Sequence, residues 1–294
     1  MAVTASVDLH THSSCSDGSD RPEELVEAAH RAGVTTLALT DHDTVSGVAD
    51  AARAAARRGI RFIAGVELAL RHGTRQVHLL GLGFDPDAGR SHLSELLDRI
   101  LQRRVERNLA MVERMRRHGL AIDYADVQAE AGGASVGRPH MATLLVKRGV
   151  ATSTADAFRR LLGSGRPFHV PRRAVQLGEA IEALRGSGGH GVLAHPEGGS
   201  AAELEALLDA VSAAGVTGVE AYHPSLSPQR SSLVRTLAGR LGLFVTGGSD
   251  YHGVHSPGRA LGFWHAGEPI PQEIAGALPG TDGQPRTEVR PRRR

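Results

Sequence analysis

Histidines and carboxylates in this sequence collect at the ends of short apolar runs. His10 and His12 flank Thr11 at the end of SVDLH, and on a strand residues two apart point to the same face, so both imidazoles can reach one ion. Asp17 follows in the glycine-containing turn SDGSD, His42 stands between Asp41 and Asp43 after TTLALT, and Glu67 ends IRFIAGVE. His78 lies in QVHLLGLG, His195 ends GVLAH, and Asp250 and His252 close LFVTGGSD and its continuation. Mixed imidazole and carboxylate donors suit manganese, iron or zinc better than calcium or magnesium, which prefer shells of oxygen. These nine side chains exceed what one ion needs. A carboxylate can bridge two ions, and closely spaced ions stabilise both the attacking and the leaving oxygen of a phosphoester. Metal-dependent phosphoester hydrolysis is therefore the expected chemistry. Taken singly, each motif has a plainer reading: strand histidines can face solvent, Asp-His-Asp can be a helix cap with its neighbours, and Ala-His-Pro can be a turn. Their common position at strand ends is what favours one site. His30, His72, His92, His118, His190, His255 and His265 fall on helix faces or in loops and are expected to be solvated, with His140, His169 and His223 intermediate.

The elements that must position these groups follow a rhythm. The runs SVDLH, TTLALT, IRFIAGVE, QVHLLGLG, GVLAH, GVEAY and LFVTGGSD read as strands, mostly followed by helical patterns at 22–32, 45–58, 200–214 and 228–241. That alternation predicts parallel strands with crossover helices. In a barrel of this kind the loops after the strands converge, so polar groups at many strand ends meet in one place. Residues 91–170 break the rhythm. Apolar residues at Leu93, Leu96, Leu97, Ile100, Leu101, Val105, Leu109, Val112 and Met115 predict one long amphipathic helix closed by Gly119, followed by helical pieces at 124–131, 139–148 and 154–162. The expected organisation is an α/β barrel at 1–100 and 170–275, a helical insertion at 101–169, and a disordered basic tail at 276–294.

Composition narrows the function classes. The formal charge is +2, but residues 281–294 hold five Arg against one Asp and one Glu, a net of +3, so the rest carries +2 − 3 = −1. Only 3% of residues are aromatic, which leaves few platforms for stacking a run of bases, so a long nucleic-acid groove is not expected. Cys15 is the only cysteine, which fits a reducing compartment. With no apolar run long enough to cross a bilayer and no leader pattern, a cytoplasmic protein without membrane contact is expected.

The ordered set DLHTHSSCSDG, TDHD, GVE, VHLLG, AHP and GSDYHG resembles the PHP family, named for polymerase and histidinol phosphatase. The resemblance implies a distorted seven-stranded β/α barrel with a trinuclear centre of divalent ions. By that likeness one ion is bound by His10, His12, Glu67 and Asp250, a second by Glu67, His78 and His195, and a third by Asp17, His42 and His252. Glu67, Asp17 and Asp250 are then the carboxylates at the reaction centre. His223 is a candidate for protonating the leaving oxygen, as are Asp41 and Asp43, which can equally orient ligand imidazoles. The helical insertion with Gly137-Arg138-Pro139-His140 is similar to the branch holding 3′,5′-nucleoside bisphosphate phosphatases and 5′-to-3′ exoribonucleases of short RNA, where an insertion caps the site. In that likeness Arg138 and His140 hold a substrate phosphate, with Lys147, Arg172 and Arg173 as weaker candidates; a guanidinium fork suits phosphate. The implied partner is a small phosphorylated nucleotide or short RNA, with no stable protein partner. A histidinol-phosphate phosphatase and a non-catalytic PHP binding module are the competing expectations.

Overall fold

The computed structural model describes residues 6–86, 91–132 and 136–278. The expected tail beyond residue 278 lies outside them. In chain order the elements are β1 (Val7–Asp8), α1 (Pro22–Arg31), β2 (Thr36–Leu39), α2 (Val48–Arg58), β3 (Arg61–His72), β4 (Arg75–Leu82), α3 (His92–Arg117), α4 (Tyr124–Ala131), α5 (Arg138–Lys147), α6 (Thr154–Ala157) with a π-helical turn (Phe158–Leu162), β5 (Val175–Gln176), α7 (Leu177–Gly186), β6 (His190–Leu193), α8 (Ala201–Ala213), β7 (Gly218–Tyr222), α9 (Pro228–Leu241), β8 (Phe244–Gly247), β9 (Phe263–His265) and β10 (Glu268–Pro269). The chain divides into two compact units, one of residues 1–94 and 175–294 and one of Glu95–Ala174.

The first unit is a nearly closed barrel-like sheet of seven strands in the order β1-β2-β3-β4-β6-β7-β8, with β5 added beside β3. The ends of the sheet meet where Leu9 N donates to Gly247 O at 3.1 Å. Helices cover its outside because their stripes are apolar. In α1, Pro22 opens the first turn, Glu23 and Glu24 suit the positive helix end, and Leu25, Val26 and Ala29 are buried. In α2 the buried stripe is Ala51, Ala54 and Ala55, small enough for close packing, and the helix stops at Gly59 in the left-handed region (φ 65°). Inside lie Val7, Leu9, Ala38, Ile63, Leu80, Val192, Trp264, Ile270 and Leu278, so the packed chain runs at least to Leu278.

One expectation is corrected. β3 and β4 are antiparallel, and β4 is antiparallel to β6, while β1-β2-β3 and β6-β7-β8 are parallel. Only Gly73 and Thr74 separate β3 from β4, and a two-residue loop with Gly73 at φ 59° makes a hairpin, whereas a parallel return needs a long crossover. The reversal matters for function. Glu67 is in register with Leu80, and His78 shares Leu80's face two residues earlier, so His78 is delivered beside Glu67, which lies in the middle of β3 and not at its end as expected.

The second unit is helical around Met111, Met115, Val127, Met141, Leu145, Leu162 and Phe168. α3 realises the long helix, but Leu101 and Leu109, expected on its buried stripe, are 55% and 47% exposed, and Met111 is buried instead. No helix among the described residues is long and apolar enough to cross a membrane.

Candidate metal centre

The strand ends of the first unit carry the predicted histidines and carboxylates to one place. Thr11 turns away, its Oγ1 donating to Ala38 O at 2.7 Å, which leaves His10 and His12 on the other face with ring centroids 5.1 Å apart. His42, just beyond the end of β2, is the bridge partner of Glu67 in the middle of β3. The backbone is strained at two ligand candidates and beside a third: His195 and Asp250 take φ values of 25° and 50°, and Asp43, next to His42, takes 56°, in a region costly for residues with a Cβ.

Glu67, 1% exposed, is the hub. Its Oε1 lies 2.7 Å from His78 Nδ1 and 3.2 Å from His195 Nε2. Its Oε2 lies 3.1 Å from His42 Nδ1 and 3.4 Å from the Nε2 atoms of both His10 and His12. Each carboxylate oxygen thus faces its own set of imidazoles, as a bridging ligand would. Asp250 Oδ1 is 3.2 Å from His12 Nε2 and 3.5 Å from His10 Nε2. Asp17 lies 3.3 Å from His252 Nε2 and 3.7 Å from both His12 Nδ1 and His42 Nε2. Donor atoms within 4.8 Å of one another group as His12-Asp17-His42-His252, His10-His12-Glu67, Glu67-His78-His195 and His10-Glu220-His223.

The electrostatics fit bound cations. His12 is fully buried, burial lowers its imidazole to about 4, and both its ring nitrogens lack a hydrogen-bond partner. A neutral buried imidazole with unused lone pairs is the form a metal takes. Burial also opposes charge on His10, but Glu220, Asp250 and Glu67 outweigh it and drive that imidazole up. Conversely, burial opposes charge on Glu67 and Asp250, yet the surrounding imidazoles hold both carboxyls low. Several rings are already oriented: His10 Nδ1–H donates to Glu220 Oε1 at 3.0 Å and His252 Nδ1–H to Asp250 O at 2.9 Å, so each Nε2 points inward. Convergent nitrogen lone pairs and carboxylate oxygens repel unless protons or a metal cation lie among them.

Three residues the sequence reading passed over support this cluster. Glu220, fully buried on β7, holds His10 with one oxygen and accepts from His195 N at 2.8 Å with the other. Asp8 accepts from Ser249 Oγ at 2.6 Å and Gly262 N at 2.8 Å, tying the end of β1 to the end of β8; burial raises its carboxyl to about 6. Arg259 Nη1 pairs with the Asp250 carboxylate. Glu220→Gln preserves shape but removes the charge behind His10. The expected result is a loss of about tenfold in metal affinity, read by competition with a chromogenic chelator; unchanged affinity would reduce Glu220 to packing. Close approach is equally specific at Gly248, where an added Cβ would meet His10 Cβ at 2.1 Å and His10 N at 2.5 Å. Gly248→Ala is therefore expected to cost about 1–3 kcal/mol in a denaturant titration and to displace His10.

The other predicted residues take distinct places. His223 is 2% exposed, with Nε2 3.3 Å from Asp250 Oδ2 and its ring 4.9 Å from that of His195. Asp41 accepts from Ser13 N, Ser13 Oγ and Ser16 Oγ at 2.6–2.8 Å, so it shapes the loop after His12 and bonds no imidazole among the described residues. His255 meets the rim, its Nδ1–H donating to Asp17 O at 3.0 Å, where solvation alone was expected. Arg138, His140 and Lys147 belong to the helical unit. His140 Nδ1 accepts from Gly137 N at 3.1 Å and so caps α5, with Nε2 remaining for a ligand. Lys147 Nζ is paired with both Glu130 oxygens at 2.7 and 3.0 Å, so its charge is already answered.

Comparison with known proteins agrees with this chemistry. The family model described as PHP domain matches residues 8–162. A 3′,5′-nucleoside bisphosphate phosphatase of Chromobacterium violaceum is 35% identical, the match covering 92% of this chain and 95% of that protein. The 5′-3′ exoribonuclease Rnm of Escherichia coli is 33% identical over 83% of this chain and 84% of that protein. Among solved structures, one described as a metal-dependent phosphoesterase from Bifidobacterium adolescentis superposes with a TM-score of 0.75 at 32% identity, covering 92% of this chain and 93% of that one. The chain belongs to the PHP domain family and is a phosphoesterase.

Proposed function

We propose that this enzyme hydrolyses phosphate monoesters of nucleotides, foremost nucleoside 3′,5′-bisphosphates with release of the 3′-phosphate, and that the same site trims short RNA from its 5′ end. The observation that carries the metal-dependent part is Glu67, whose two oxygens face two separate groups of imidazoles. Three divalent ions, manganese, iron or zinc, would be held by His10, His12, Glu67 and Asp250; by Glu67, His78 and His195; and by Asp17, His42 and His252. When bound, such ions neutralise phosphoryl oxygens and lower the pKa of water toward neutrality. The chain's own residues do the rest. Glu220 and Asp8 fix the direction of His10 and the loop that carries Asp250. His223 Nδ1 accepts from Ser225 N at 3.1 Å, which turns Nε2–H, 3.3 Å from Asp250 Oδ2, toward the centre as the hydrogen-bond donor proposed for the leaving oxygen. Arg138, with a planar fork of donors, is proposed to hold a substrate phosphate, joined by His140 through Nε2.

The support for a nucleotide substrate is the likeness to the bisphosphate phosphatase and the exoribonuclease along most of their lengths. The test is a panel assayed with manganese-loaded protein: adenosine 3′,5′-bisphosphate, a 5′-phosphorylated RNA trimer, a long single strand and histidinol phosphate. The bisphosphate is expected to give adenosine 5′-monophosphate and free phosphate with the highest kcat/KM. A preference for histidinol phosphate would reassign the substrate and leave the phosphoesterase chemistry standing.

A further inference from the structure

The loop that follows His195 is held by a side chain from a separate helix of the barrel. His195 takes φ 25°, and Gly198 and Gly199 take 74° and 71°, so the segment folds back on itself, with Glu197 N donating to His195 O at 2.6 Å. Left-handed backbone at a residue with a Cβ persists only where its surroundings fix it. On the amino side Glu220 Oε2 accepts from His195 N at 2.8 Å and His78 O accepts from Ala194 N at 3.0 Å. On the carboxyl side the fixing falls to Arg230. Its Nε donates to Pro196 O at 3.1 Å, its Nη1 to Gly199 O at 3.3 Å and its Nη2 to Gly198 O.

Arg230 stands where a helix does not favour a cation. It lies in the first turn of α9, where the N-cap Ser227 accepts from Arg230 N at 3.2 Å and no acidic residue is present. Positive charge at that end opposes the helix dipole. The half-buried guanidinium offsets this by placing all three of its nitrogens on carbonyl oxygens of one loop. Pro196 is buried, whereas Glu197, Gly198 and Gly199 are exposed, so the clamp acts on the stretch least held by packing. A planar fork can hold several carbonyls in one geometry, which a single ammonium cannot. No hydrogen bond or ion pair among the described residues joins Arg230 to a candidate metal ligand, so its influence on the centre passes through the loop.

We infer that Arg230 is a positioning residue for His195: it fixes the loop behind the imidazole so that His195 Nε2, 3.2 Å from Glu67 Oε1, meets the oxygen that His78 Nδ1 approaches at 2.7 Å. Its effect is confined to the ion site of Glu67, His78 and His195, because the Asp17, His42 and His252 group is carried by other loops. The inference rests on the proposed role of His195 as a ligand.

The test is a double-mutant cycle on the full chain, with manganese affinity read by competition with a chromogenic chelator. Arg230→Met is expected to weaken one manganese equivalent about tenfold, the scale seen when a group behind a ligand is removed, and to leave the other equivalents as in wild type. Arg230→Lys is expected to fall between, because it keeps the charge without the fork. His195→Ala is expected to weaken that same equivalent, and Arg230→Met added to His195→Ala is expected to change nothing further, since a residue that acts through His195 then has nothing to position. Thermal melts of the metal-free proteins check folding, and Arg230→Gln carries the same expectation should Arg230→Met not fold. Equal binding by Arg230→Met and wild type, a loss spread over every equivalent, or additive losses in the double variant would overturn the positioning role and leave His195 a ligand. Wild-type binding by His195→Ala would overturn the ligand reading, and the inference with it.

Discussion

Treatment with a strong chelator is expected to abolish phosphoester hydrolysis and manganese to restore it, and Glu67→Gln is expected to lower turnover on every phosphoester by about a thousandfold. The size follows from what Glu67 touches. Glutamine keeps the volume and one carbonyl oxygen, but it cannot carry the negative charge that faces His42, His10 and His12 on one side and His78 and His195 on the other. Loss of a shared carboxylate weakens two cation sites at once, and each cation contributes several kcal/mol of charge stabilisation. Removing about 4 kcal/mol of it corresponds to about a thousandfold in rate. Metal content should fall with turnover, while the far-ultraviolet circular dichroism stays native. A Glu67→Gln protein with wild-type turnover and metal content would remove Glu67 from the centre.

The second large effect is selective. Arg138→Ala is expected to lower kcat/KM for adenosine 3′,5′-bisphosphate by about ten- to a hundredfold, the equivalent of about 1.5–3 kcal/mol for a charge-assisted hydrogen bond. Hydrolysis of a small aryl phosphate should change far less, because such a substrate has no second phosphate for the guanidinium to hold. Metal content should be unchanged, since Arg138 lies in the helical unit and its described contact is the Phe158 ring. Parallel kinetics on the two substrates are the check. Equal losses on both would show that Arg138 acts on folding or on the metal centre rather than on a substrate phosphate.

Much of the barrel was legible because strand ends in this chain are marked twice, by a β-branched or aliphatic run and by the charged or imidazole side chain that closes it. The helices at Pro22–Arg31 and Pro228–Leu241 announced themselves through Pro at the start and a glycine after the end. The direction of β4 was harder, since a half-buried strand reads alike in either direction; the Gly73-Thr74 loop was the available clue. Glu220 could have been found by its own context. Gly218-Val219-Glu220 repeats the Gly65-Val66-Glu67 pattern, a carboxylate set in an apolar strand with no room to reach solvent. Asp8, between Val7 and Leu9, carried the same signal. Arg259 had none: it lies in a loop, and only the folded chain brings it to Asp250. Leu101 and Leu109 fitted the helical spacing but fall outside the buried stripe, because a helix of this length meets neighbours along only part of its surface.

The most direct measurement of the central claim is the number of metal ions per chain, taken by inductively coupled plasma mass spectrometry on wild-type protein loaded with manganese and freed of excess by gel filtration. A centre in which Glu67 is shared between ion sites and Asp17, His42 and His252 form another predicts more than one equivalent, approaching three at saturation. At most one equivalent after full loading would contradict it.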